Sequence, residues 1–240
     1  MSQMKGSKNV SKMAFFLLPL GIAVNFIGGQ VAALLNLPIY LDAIGTMVVA
    51  ALCGPIYSVA TALVTGLLMS ITSPTNLVYI GNYLAVGLFS GLFAYWGFYK
   101  NVWKSCIAGA VVGLFCGVAG STVTVAVMGG YSASIRGIIT AFLAQTFSLS
   151  IPVANMLSEI STDILDKIPS AIITYLLVFR IPNKFLLKLP YGNKYIWGAK
   201  KEERKPSRRN KKTVSLMGPA LRFLRQAGPI GRQQGVNYEY

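Results

Sequence analysis

The chain has 240 residues, of which 54% are apolar and 12% charged; it has no histidine and a formal net charge of +15. A soluble domain carries about 25% charged residues, so this composition argues against a water-exposed globule. The missing histidine removes the commonest general base, the commonest zinc ligand and the usual nucleophile triads.

The charge is unevenly placed. From Asn183 to Tyr240 there are fourteen Lys or Arg and three Glu, whereas Met1 to Pro182 holds eight basic residues and only four acids, Asp42, Glu159, Asp163 and Asp166. A body so poor in charge cannot cover a soluble surface but can face lipid. The expectation is an all-α integral membrane protein. It would have a cytoplasmic segment over 1–12, a six-span membrane domain over 13–182 and a basic cytoplasmic tail over 183–240.

Crossing about 30 Å of hydrocarbon takes roughly 20 helical residues. Six segments fit in chain order: 13–35, 39–53, 56–73, 77–99, 105–128 and 163–181. The first follows Lys5, Lys8 and Lys12, but its apolar run exceeds that of a signal peptide. Within it, Asn25 and Gln30 face inward, either as helix–helix hydrogen-bond partners or as ligand contacts. In the second, Asp42 follows Pro38 near the helix start. There it either complements the helix dipole, worth about 0.3–1 kcal/mol, or points into an outward-facing hollow with Tyr40 and Thr46 close by. Gly54-Pro55 marks a tight hairpin between the second and third spans.

Asn76, Tyr79 and Tyr83 share one helical face where the third span turns into the fourth, with Asn82 beside them. They read either as a turn cap with an interfacial tyrosine belt, or as an amide-and-aromatic wall for a small planar solute. Trp96 and Tyr99, beside Lys100, read as anchors at the inner interface. Gly109, Gly113, Gly117 and Ser121 form a small-residue stripe on span five, and Gly87 and Gly91 another on span four. Such stripes let helix backbones approach closely, inside the bundle or against a separate membrane subunit. Cys53, Cys106 and Cys116 lie in apolar runs without metal-ligand or disulfide spacing and read as small buried hydrophobes.

The segment 129–162 is apolar at its centre, yet Gln145, Ser148, Ser150, Pro152 and Asn155 interrupt it. It reads as a half-inserted helix, a break near Pro152, and a second short helix leading to span six. Broken backbone at membrane depth is tolerated only against protein or a watery cavity, which makes this segment a candidate wall or lid. Glu159, Asp163 and Asp166 read as capping groups at the start of span six. Lys and Arg placement, including the basic tail and the loop with Lys100 and Lys104, puts both termini in the cytoplasm. The tail reads as disordered or resting on anionic lipid, with a short amphipathic stretch interrupted at Gly218-Pro219; no nucleic-acid partner is expected.

Over residues 13–181 the chain resembles the substrate-binding S component of an energy-coupling factor (ECF) transporter. The likeness rests on size, on six spans with both ends inside, and on "YLDAIGTMVVAALCGPIYSVATALVTGLL" (Tyr40–Leu68), followed by the "SPTN" turn and the glycine-rich spans four and five. The resemblance implies capture of a vitamin-like small molecule from the outer side. It also implies delivery with a transmembrane coupling subunit and two cytosolic ATPases. ATP hydrolysis would then belong to the partners, and no Gly-x-x-x-x-Gly-Lys-Ser/Thr loop occurs here. The pattern departs from the family at the Ala-x-x-x-Ala docking position: Ala14 is followed by Leu18 and Pro19, and Ala60, Ala62 and Gly66 are the substitutes on offer.

The residues expected to line the substrate site are Asp42, Asn76, Tyr79, Tyr83, Gln145 and Asn155, with no cofactor and no metal. The rival reading is a membrane sensor whose spans bind a signal and whose basic tail engages a regulator. A membrane enzyme is disfavoured by the missing histidine and the lack of a clustered acid–base pair within the spans.

Overall fold

The structure, a computed structural model, describes residues 3–132 and 134–196. Among them every regular element is helical: α1 (Gln3–Leu34), α2 (Ile44–Cys53), α3 (Pro55–Thr72), a 3-10 turn (Pro74–Tyr79), α4 (Ile80–Tyr95), α5 (Val102–Met128), α6 (Ile135–Phe147), α7 (Ile151–Arg180) and α8 (Asn183–Leu186). The tail beyond 196 lies outside the described residues.

Among the described residues, four stretches are long and apolar enough to cross a membrane: Met13–Leu34, Pro55–Thr72, Pro74–Tyr95 and Val102–Met128. Their outer faces carry large exposed apolar side chains, among them Phe16, Ile27, Ile56, Ile71 and Trp103. Such a girdle suits lipid rather than water. These features are those of a multi-pass membrane protein.

The other two expected spans differ from expectation. α2 has ten residues, so it rises about 15 Å, half the hydrocarbon thickness. Its expected first turn is instead an irregular connection, with Asn36 and Leu41 at φ 48° and 53°. The cause lies elsewhere in the chain. The Asp166 carboxylate accepts from the backbone N–H groups of Tyr40 (3.0 Å) and Leu41 (2.8 Å), holding them out of a helix.

α7 has 30 residues, about 45 Å of helix. It is long enough to span, but its buried face is charged. It begins at Ile151 rather than near 163, so Glu159, Asp163 and Asp166 sit mid-helix and cap nothing. The expected break near Pro152 falls at Ser148, whose φ of 51° ends α6. Pro152 occupies the first turn of α7, where its missing N–H has no intrahelical partner to lose. No second break follows; the expected short helix and last span are one continuous helix.

α5 and α7 form the most extensive helix pair. The glycine stripe makes it possible. A Cβ on Gly109, Gly113 or Gly117 would stand 2.6, 2.8 and 2.6 Å from Lys167 O, Asp163 O and Ile160 Cα, all backbone atoms of α7. Gly87 meets the α3 backbone in the same way, 2.9 Å from Ser58 O. Both stripes are therefore spent inside the bundle. Of the small residues considered for docking, Ala14 and Ala62 are buried, Gly66 lies under the Tyr83 ring, and Ala60 is half-buried.

Gly54 (φ 91°) joins α2 to α3 in a single residue, and Pro55 starts α3. The chain after α7 folds back onto this corner. Tyr191 donates its backbone N–H to Leu52 O (2.9 Å) and covers Gly54 with its ring. Lys194 donates to Tyr95 O (2.8 Å), with its ammonium 4.1 Å from the Tyr191 ring centroid and 4.8 Å from that of Tyr95. Desolvation, and then the charge of Lys100, lower the Lys194 pKa from its usual value. Leu186, Leu189 and Tyr195 are buried here. So is Tyr99, which belongs to the core rather than to an interface belt; Trp96 stays exposed. The apolar core, including Met47, Leu52, Val112 and Val178, fills the bundle between this corner and the opposite end of α2.

Candidate functional site

At the amino end of α2 the core gives way to a cavity of about 590 Å³, within the roughly 300–1,000 Å³ range of small-molecule sites. Its walls come from the carboxyl end of α1, the 36–43 connection, the turn between α3 and α4, the start of α6 and the middle of α7.

The floor is set by a buried amide. Asn25, inside α1, accepts the backbone N–H groups of Gly45 (2.6 Å) and Thr46 (3.3 Å) through its Oδ1. Its Nδ2 donates to the hydroxyls of Thr46 (2.8 Å) and Thr65 (3.1 Å). One side chain thus caps α2 from a neighbouring helix and ties three helices together, because α2 lacks a side-chain cap of its own. The two readings open for Asn25 resolve to helix–helix bonding. Gln30 also lines the cavity and donates to the Thr72 hydroxyl at 3.2 Å.

One wall is ionic. Glu159, Asp163, Asp166 and Lys167 are spaced four, three and one residues apart, which places them along one face of α7. Arg136 of α6 pairs with Glu159 and, at 2.7 Å, with Asp163. Its guanidinium carbon stands 4.1 Å from the Tyr40 ring centroid. Lys167 pairs with its neighbour Asp166 and faces Asp42 at 3.6 Å. Apart from Asp42, whose side chain is 12% exposed, these side chains are 7% exposed or less. A buried charge is tolerable only when paired and hydrogen-bonded, and the arrangement meets that demand unevenly. Asp166 is fully engaged by Lys167 and two backbone N–H groups. Glu159 has Arg136 and the Thr124 hydroxyl (3.3 Å). Asp163 Oδ2 and Arg136 Nε, both buried, have no hydrogen-bond partner among the described residues.

The facing wall is aromatic and amide. Tyr79 shares a hydrogen bond with Thr124 (2.7 Å), Asn76 donates to Met69 O at the end of α3 (3.0 Å), and Asn82 donates to Cys116 O (3.1 Å). Tyr83 stands beside Asp42.

Four of the six residues chosen from the sequence, Asp42, Asn76, Tyr79 and Tyr83, line this one cavity. The other two do not. Gln145 lies nine residues beyond Arg136, two and a half helical turns, which carries it to the opposite face of α6, where it is exposed. Asn155 is buried in the α5–α7 seam, where its Oδ1 accepts from Ser121 (2.9 Å). Sequence reasoning missed Arg136, Glu159, Asp163 and Lys167 as cavity residues. The available signal was the one-faced spacing of Glu159, Asp163 and Lys167 and, for Arg136, a lone charge in an apolar segment of a body with so few charges. Among the described residues, no three His, Cys, Asp or Glu side chains are grouped to hold a metal ion. Cys53 and Cys116 are buried and Cys106 partly so, all as free thiols.

No family model, curated protein or solved structure matches this chain.

Proposed function

We propose that the chain is the substrate-capture membrane subunit of an ECF-type importer, taking a vitamin-like solute from the outer side of the cell membrane. The observation that carries this reading is the cavity. An otherwise greasy helical bundle gathers five charged groups, three tyrosines and several amides around one hollow large enough for a small molecule. Charges in a membrane body are costly and mark solute paths or partner contacts. In this reading Tyr79 and Tyr83 stack on the solute, Asn76 orients it, and Asp42 accepts its hydrogen bonds. α7, and α2 together with the irregular 36–43 connection before it, complete the proposed six crossings, and α6 is a partly inserted wall of the cavity. Lys and Arg placement keeps both termini in the cytoplasm, and a coupling subunit and two ATPases supply the energy.

The likeness of Tyr40–Leu68 to S components supports the reading, as does the position of Asp42 at the cavity end of that run. Native mass spectrometry of gently purified protein tests it. A retained small molecule, lost on Tyr83→Ala, together with co-purifying ATPases, is the expected result. A signalling protein in place of the ATPases would favour the sensor reading, and an empty cavity would refute capture.

A further inference from the structure

Resting on the capture reading, we propose that the solute held in this cavity is an organic cation, with its positive group seated against Asp42 and Asp163 and its apolar body against Tyr79 and Tyr83.

The argument begins with charge balance. Among the described residues, Asp42, Glu159, Asp163 and Asp166 face two cations, Arg136 and Lys167, a formal excess of two negative charges in a largely buried site. Unmatched buried carboxylates are costly, and two remedies exist: taking up protons or admitting a cation. Hydrogen bonding indicates which acids are left over. Asp166 and Glu159 have their partners. Asp163 has one oxygen buried with no hydrogen-bond partner among the described residues. Among the described residues the cation facing Asp42 is Lys167 at 3.6 Å, an ammonium already committed to Asp166, and the hydroxyl of Tyr83 hydrogen-bonds Asp42 without balancing its charge. Both carboxylates whose charge is incompletely matched line the cavity. Neither resident cation is free to serve a solute anion, because each is already bound to carboxylates. The aromatic wall adds to the preference, since tyrosine faces attract cations.

A matched series with one ring and three charges provides the test: benzylammonium, benzyl alcohol and benzoate, each added at millimolar concentration to the full chain in detergent. The thermal unfolding midpoint and tyrosine fluorescence are read. Benzylammonium is expected to bind and to raise the midpoint, with the alcohol and benzoate much weaker. Asp42→Asn should cut benzylammonium affinity by about tenfold or more, as for loss of a charged hydrogen bond, and so narrow the gap between benzylammonium and benzyl alcohol. Asp42→Glu, which keeps the charge, should retain the selectivity, and this separates loss of charge from loss of fold. Benzoate or benzyl alcohol binding as tightly as benzylammonium overturns the cationic class. So does no response to benzylammonium. In either case the capture reading stands or falls separately, on whether purified protein retains any small molecule at all.

Discussion

Arg136 is the cation whose removal should be felt most. It is 6% exposed and serves two buried carboxylates, Glu159 and Asp163, from a different helix. Removing one partner of a buried pair costs about 3–5 kcal/mol, because the remaining charge is left in a low-dielectric site. Here two carboxylates are left, and the contact with Tyr40 at 4.1 Å adds about 0.5–1 kcal/mol. Cavity water should offset part of this, so Arg136→Met is expected to lose about 4 kcal/mol. The assay is reversible unfolding in mixed micelles, followed by helical circular dichroism as the denaturing detergent fraction rises. Arg136→Lys should recover only part of the loss, since one ammonium cannot serve both carboxylates as a planar fork does. The triple variant Arg136→Met, Glu159→Gln, Asp163→Asn should return to within about 2 kcal/mol of the parent, because it removes the stranded charges as well as their partner. A single variant within about 1 kcal/mol of the parent, or a triple variant no more stable than the single, would refute the account of α6–α7 attachment.

Three further perturbations probe the supports of the cavity. Gly113→Ala places a methyl group 2.8 Å from Asp163 O in the α7 backbone and should destabilise by about 1–3 kcal/mol. Gly81→Ala, in α4 with open space around it, should be neutral or stabilising by up to about 1 kcal/mol; unfolding midpoints of the pair measure the contrast. Asn25→Leu leaves the Gly45 and Thr46 N–H groups without their acceptor and should cost about 1–3 kcal/mol, read in the same assay. Asp166→Ala frees the Tyr40 and Leu41 N–H groups, so amide hydrogen exchange at 40–41 should accelerate while exchange within α5 stays slow; unchanged exchange at 40–41 would mean that another contact holds the connection.

Much of the architecture was legible from composition and local pattern. Apolar runs long enough to cross lipid placed α1, α3, α4 and α5, since hydropathy over some twenty residues depends on no distant contact. Gly54-Pro55 gave the hairpin turn, because a positive φ followed by a proline is a local preference. The pairing of Asp42 with the tyrosines and amide at 76–83 was also readable, since all of them sit at neighbouring ends of consecutive helices.

What one-dimensional reading could not supply is the partner of each charge. Asp42 was open to a role at its own helix end; the fold sets it against Lys167, 125 positions away in the chain. In the sequence alone the three acids of α7 read as caps, because a capping group and a mid-helix group look alike until the helix start is known. That start was obscured by Pro152, which can break a helix or begin one. Glycine stripes likewise state that a backbone will come close, but not which one. Long-range electrostatic pairing and helix docking are settled only when the chain closes on itself, and they decided the length of α2, the continuity of α7 and the ionic wall of the cavity.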